Sequence, residues 1–144
     1  MLHYMTTPLF IRFDPGILER LKRRAAGSPG ATPSGLAQRL VDEGLRQADY
    51  PGVIFKDGPS GRRAALALGP DVWEVVRVLK EVDERGEAAI EAAAELLALP
   101  PSRVRVAVRY YTAHEQEINT EIAEAEAASL AAEREWQAER RLLT

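Results

Sequence analysis

Apolar and polar positions change rhythm along this chain, and the shortest rhythm comes first. In Leu9-Phe10-Ile11-Arg12-Phe13, a period of two places Leu9, Ile11 and Phe13 on one face and Pro8, Phe10 and Arg12 on the other, which predicts a very short strand. Asp14 is a good helix cap and Pro15 a good first helical residue, because its missing N–H costs nothing there. The helix that follows carries Ile17, Leu18, Leu21 and Ala25 on one face and Lys22-Arg23-Arg24 near its end, with Gly27 available for a left-handed cap. After a Ser28-Pro29-Gly30-Ala31 turn, Thr32 caps a second helix, Pro33 opens it, and Leu36, Leu40, Val41 and Leu45 form its stripe up to the break at Tyr50-Pro51-Gly52. One strand and two helices cannot enclose a core, since both strand edges stay unpaired and little apolar area is covered. A second copy of the chain supplies the missing strand most simply, giving a two-stranded antiparallel ribbon flanked by helices.

Beyond that break, Val53-Ile54-Phe55 and Arg62-Arg63-Ala64-Ala65-Leu66 flank the turn-forming run Lys56-Asp57-Gly58-Pro59-Ser60-Gly61, a β-hairpin pattern. Gly69-Pro70-Asp71 starts a helix with Val72, Val75, Val76 and Leu79 on one side, and Trp73 is placed to anchor it to the hairpin. A helix from about Glu87 uses Ile90, Ala94 and Leu97. After Leu99-Pro100-Pro101 comes another, with Val104, Val108 and Tyr111 on one face and Arg103, Arg105 and Arg109 outward or on the flank. From His114 to Leu143 there is no Gly or Pro and much Ala and Glu, so a long helix is favoured. Ile118, Ile122, Ala125, Ser129, Ala132 and Trp136 fall at alternating four-three spacing, but small residues fill the middle of that seam. Such a helix pairs with its dimer mate, projects into solvent or orders on another protein, and Trp136 is the natural anchor for the last of these.

The net charge of −3 hides a gradient. Residues 1–50 carry seven Lys/Arg against five Asp/Glu (+2), residues 51–82 five against four (+1), and residues 83–144 seven against thirteen (−6). A basic front and acidic tail suit a nucleic-acid contact at one end and a basic protein partner at the other, although two solvated surfaces would look the same. The chain has no cysteine, which removes disulfides and thiolate zinc sites. Without a secretory segment or a long apolar run, a cytoplasmic protein with no membrane contact is expected. His3 and His114 lie far apart and read as surface residues, so no metal is expected, nor any cofactor. No glycine-rich phosphate loop, nucleophile elbow or thiol is present, and the Glu91/Glu95 pair sits on a solvated helix pattern, which argues against an enzyme.

The residues from 8 to 48, strand then Asp14-Pro15 helix then Thr32-Pro33-Ser34 helix, resemble the ribbon-helix-helix (MetJ/Arc/CopG) family of dimeric DNA-binding proteins. The resemblance implies that Phe10 and Arg12 enter the major groove and that the amides around Thr32, Pro33 and Ser34 hold a phosphate. Unpaired amides at a helix start attract anions in any case, though Pro33 contributes no donor. Arg12 can bond guanine through two N–H groups, whereas Phe10 offers only apolar contact to a thymine methyl. Phe10 departs from the polar or basic residues usual at that position; packing against the second module or a partner is its other reading.

Residues 50–114, with Gly61-Arg62-Arg63, Val72-Trp73-Glu74-Val75 and Val104-x-x-Ala107-x-x-Tyr110, are similar to small winged-helix-like modules of antitoxins found beside PIN-like toxins. In that arrangement the helix carrying Arg103, Arg105 and Arg109 would be the recognition helix, the alternative being a solvated face paired with glutamates. The whole order resembles antitoxins of the VapB type, which implies an operator-binding homodimer, or higher even oligomer, that also neutralises a cognate ribonuclease toxin. Expected domains are therefore 1–49 for DNA binding and dimerisation, 50–114 winged-helix-like, and 115–144 an acidic helix for the toxin. The expected partner-binding residues are Ile118, Ile122, Leu130, Arg134, Trp136 and Arg140, and truncation after His114 should release the partner. The expected fold class is mainly α with minor β. Other readings of the same pattern are a stand-alone dimeric transcriptional regulator and a non-catalytic oligomerisation scaffold.

Overall fold

In a computed structural model, which describes residues 6–59 and 61–144, the chain is mainly helical with one small antiparallel hairpin. His3, and Ser60 of the expected turn, lie outside the described residues. The order is α1 (Pro15–Ala26), α2 (Pro33–Asp49), β1 (Val53–Gly58), β2 (Gly61–Leu66), α3 (Val72–Glu81), α4 (Glu87–Leu97), α5 (Pro101–Ala113) and α6 (Glu115–Leu143). Two compact units divide between Gly44 and Leu45, inside α2.

In the first unit the helix signals act as their chemistry dictates. Asp14 Oδ2 accepts from the Gly16 amide at 3.1 Å, capping α1 just before Pro15. Thr32 Oγ1 accepts from the Gly35 amide at 3.0 Å at the start of α2. Gly27 differs from expectation, with right-handed φ −79° and ψ −4°. The Ser28 N–H bonds back to Ala25 O, so the end of α1 tightens and the left-handed step is deferred to Gly30 at φ 79°. The expected strand at 9–13 forms no ladder, because among the described residues no strand pairs with it.

In the second unit β1 and β2 pair in register, Val53 opposite Leu66 and Gly58 opposite Gly61, so the hairpin turn is tighter than the expected six-residue run. Val53, Ala64 and Leu66 from the hairpin join Val72, Val75 and Val76 of α3, Ala93 and Ala94 of α4, and Val104, Ala107 and Tyr110 of α5 in one buried cluster. On α5 the buried positions are thus Val104, Ala107 and Tyr110, with Val108 and Tyr111 half-buried at the margin. Ala107 is small enough to let α5 approach its neighbours closely. Ala98, at φ 54°, closes α4 in the left-handed region, and Pro100 leads into α5.

The cluster also takes in Ile118 and Ile122 of α6, both buried. They were expected to meet a partner; instead the first turns of α6 belong to the core of their own chain. The physical reason is size: these are the two large branched residues of the seam, and they bury more area than the Ala and Ser that follow. The expected boundary at 114/115 therefore cuts through a packed unit. Beyond Ile122, every residue except Ala125 is exposed, so roughly 30 Å of α6 stands clear of the second unit's core at 1.5 Å per residue.

Candidate nucleic-acid and partner interfaces

The first unit exposes what a folded module ordinarily covers. Among its described apolar side chains only Ala25 and Leu36 are buried. Leu9 is 81% exposed, Ile11 55%, Ile17 50% and Val41 55%, with Phe13 and Leu40 also open. Ile17, Leu21 and Leu40 floor a groove of about 630 Å³ rimmed by Arg20, Arg23 and Arg24. Exposed apolar surface on this scale is what interaction sites of folded proteins present. Phe10, 97% exposed, and Arg12 both stand in solvent.

The phosphate position at the start of α2 is narrower than the sequence implied. Pro33 has no N–H, and the Gly35 N–H is taken by Thr32 Oγ1. The Ser34 amide is without a hydrogen bond among the described residues, with Thr32 acting as the cap.

The three arginines of α5 do not form one cationic face. Arg103 Nη2 donates to the Ala67 carbonyl and so clamps the turn between β2 and α3. Arg105 pairs with Glu87 of α4. Arg109 is exposed and has no ion pair among the described residues. Of the expected partner-binding set, Leu130, Arg134, Trp136 and Arg140 lie on the exposed length of α6. Trp136 is 54% exposed, with the Arg140 guanidinium over one face of its ring, 4.9 Å from the ring centre.

Two polar nodes that no sequence pattern announced hold the second unit together. Asp71, buried at the head of α3, does not cap its helix; its carboxylate meets Lys56 Nζ at 2.8 Å and Arg63 Nε at 2.8 Å, and accepts from Trp73 Nε1 at 3.0 Å. Trp73 does anchor the helix toward the hairpin, but through this shared carboxylate. In the second node Arg46 Nη1 donates to Tyr110 Oη at 2.7 Å and to Glu117 Oε1 at 2.6 Å, while the Tyr110 hydroxyl donates to Glu117 Oε2 at 2.7 Å. Burial pushes the Tyr110 hydroxyl up, and its bond to Glu117 pushes it further. Burial alone would lower Arg46, but the bonds to Glu117 and Tyr110 outweigh it and hold the guanidinium charged. His114, expected at the surface, is half-buried and stacks on Tyr110 at 4.4 Å between ring centres. Local spacing carries no signal for such nodes, because their partners are up to 71 residues apart.

Glu121 is the third feature of α6. Its Oε1 is buried without a hydrogen-bond partner among the described residues. Burial, then the charges of Glu117 and Asp71, push its carboxyl up to about 7, against a smaller opposing pull from Arg63.

Among the described residues no helix is long and apolar enough to cross a membrane. Comparison with protein-family models, with characterised proteins and with solved structures finds no match to the chain.

Proposed function

We propose that the protein is a dimeric DNA-binding regulator of the antitoxin kind, in which a second copy completes the N-terminal ribbon and the exposed length of α6 grips a protein partner. The uncovered apolar set from Leu9 to Val41 carries this reading, since it falls within the first unit and Leu9, Ile11 and Phe13 recur at the period of two that a paired strand requires. Two copies paired through 9–13 would cover Leu9, Ile11 and Phe13 on one face and present Phe10 and Arg12 together on the other. Arg12 then supplies the base contact, Phe10 the apolar one, and the Ser34 amide a phosphate contact. Arg109 is left as the α5 candidate, because Arg103 and Arg105 are committed within the chain.

For the partner, the proposed contacts are Leu130, Arg134, Trp136 and Arg140. Ile118 and Ile122 are withdrawn from that set because the chain's own core holds them. A toxic ribonuclease with a basic, metal-holding groove fits the acidic helix, and Arg134 or Arg140 could meet the carboxylates of that groove.

DNA from the region upstream of the coding sequence, titrated at moderate salt, tests the regulator. Specific binding is expected, weakened about tenfold or more by Arg12→Ala; binding indifferent to sequence refutes it. Co-purification from the native host tests the partner. A small bound protein is expected, and it should be lost when the chain is cut after Glu126, which spares Ile118 and Ile122; a cut after His114 would remove core residues as well.

A further inference from the structure

Around the root of α6 the carboxylates outnumber the cations left to meet them. A groove of about 410 Å³ runs between β2 and α6, with Arg62 and Arg63 on one side and Glu117, Glu121 and Glu124 on the other. Arg63 is committed to the buried Asp71, as is Lys56 of β1. Arg62 spends its guanidinium on Asp57 and the Phe55 carbonyl. Arg46 of α2 and the Tyr110 hydroxyl of α5 both serve Glu117. On α3, Lys80 bonds Asn119 of α6 rather than a carboxylate. Glu121 thus sits among Glu117, Glu124 and Asp71 with one oxygen buried and unbonded, one turn from Ile118 and beside Ile122, the residues that seat the helix.

We propose that Glu121 is a proton-dependent latch: while its carboxyl is neutral the first turns of α6 stay seated beside β2, and once it is ionised they loosen. A neutral carboxyl brings no fourth negative charge into the groove and tolerates partial burial. An ionised one has no uncommitted cation to meet and must turn toward water, drawing the Ile118–Ile122 turn with it. Because the exposed part of α6 continues from that turn, the latch sets how firmly the whole projecting helix is held.

The direction with pH follows from the raised carboxyl. An unfolded glutamate loses its proton near the ordinary value of 4.5, and Glu121 in the folded chain near 7. The penalty is absent below 4.5, grows as pH rises toward 7 and is complete above it. A shift of that size in a fully shielded group would be worth roughly 300-fold; the partial exposure of Glu121 brings the expectation down to about tenfold.

The test uses the full chain. Carboxyl carbon NMR is expected to show Glu121 titrating near 7. Amide-exchange protection of residues 118–126, corrected for intrinsic rates, is expected to drop about tenfold between pH 4.5 and 8.5 in the wild type and to stay level in Glu121→Gln. Titration of Glu121 below about 5, equal protection at both pH values, or the same drop in Glu121→Gln overturns the proposal. Should Glu121→Gln fail to fold, the wild-type titration and exchange decide it alone. None of these readouts involves DNA or a partner, so the latch stands or falls separately from the proposed function.

Discussion

Replacing Ile118 by alanine should unfold far more of the molecule's stability than any change further along the same helix. Ile118 has no exposed surface and belongs to the buried cluster with Val72, Val75 and Tyr110. Truncating it removes apolar contacts and leaves a cavity that the surrounding β-branched side chains cannot collapse into, a change of about 2–5 kcal/mol. With 3 kcal/mol as a central estimate, a unit of this size should lose about 12 °C or more in Tm. Trp136→Ala removes a larger side chain from an exposed position, and its effect should stay within about 0.5 kcal/mol. Urea titrations and thermal scans of the two variants, followed by circular dichroism at low protein concentration, give both numbers. Comparable losses in the two variants, or an Ile118→Ala change under about 0.5 kcal/mol, would refute the division of α6 into a packed root and a projecting arm.

Tyr110→Phe keeps the ring but strips the hydroxyl that joins Arg46 to Glu117; a loss of about 1–3 kcal/mol in urea titrations is expected, because two charged groups lose a part-buried partner. Ala98→Gly should raise stability by about 1 kcal/mol, since residue 98 holds a left-handed conformation at the exposed end of α4 that glycine adopts without strain; an unchanged or lower denaturation midpoint would contradict this.

Local chemistry made most elements readable. Asp14-Pro15 and Thr32-Pro33 mark the starts of α1 and α2 because caps and N1 prolines act within a few residues, and the turn-rich run after Phe55 marks the hairpin for the same reason. The seam of α6 was legible as a spacing but misread as one surface. Its discriminating signal is the step from Ile118 and Ile122 to Ala125, Ser129 and Ala132, a drop in side-chain volume where the helix leaves the core. Gly69-Pro70-Asp71 before an apolar stripe read as a helix start, with no separate role for the Asp71 carboxylate. That carboxylate turned to Lys56, Arg63 and Trp73 because, once buried, it needs cations and a donor more than a second bond to its own helix. The α5 arginines illustrate the same limit: whether a basic side chain faces solvent or a carbonyl such as that of Ala67 depends on a turn 36 residues away.

Sedimentation equilibrium of the wild type beside Ile11→Asp tests whether a second copy of the chain completes the first unit. The expected result is a wild-type dimer, a variant shifted to monomer by a charge placed within the ribbon, and an intact thermal transition for residues 45–144 in both. A wild type that stays monomeric up to about 100 μM, well above the dissociation constants of stable interfaces, would contradict it.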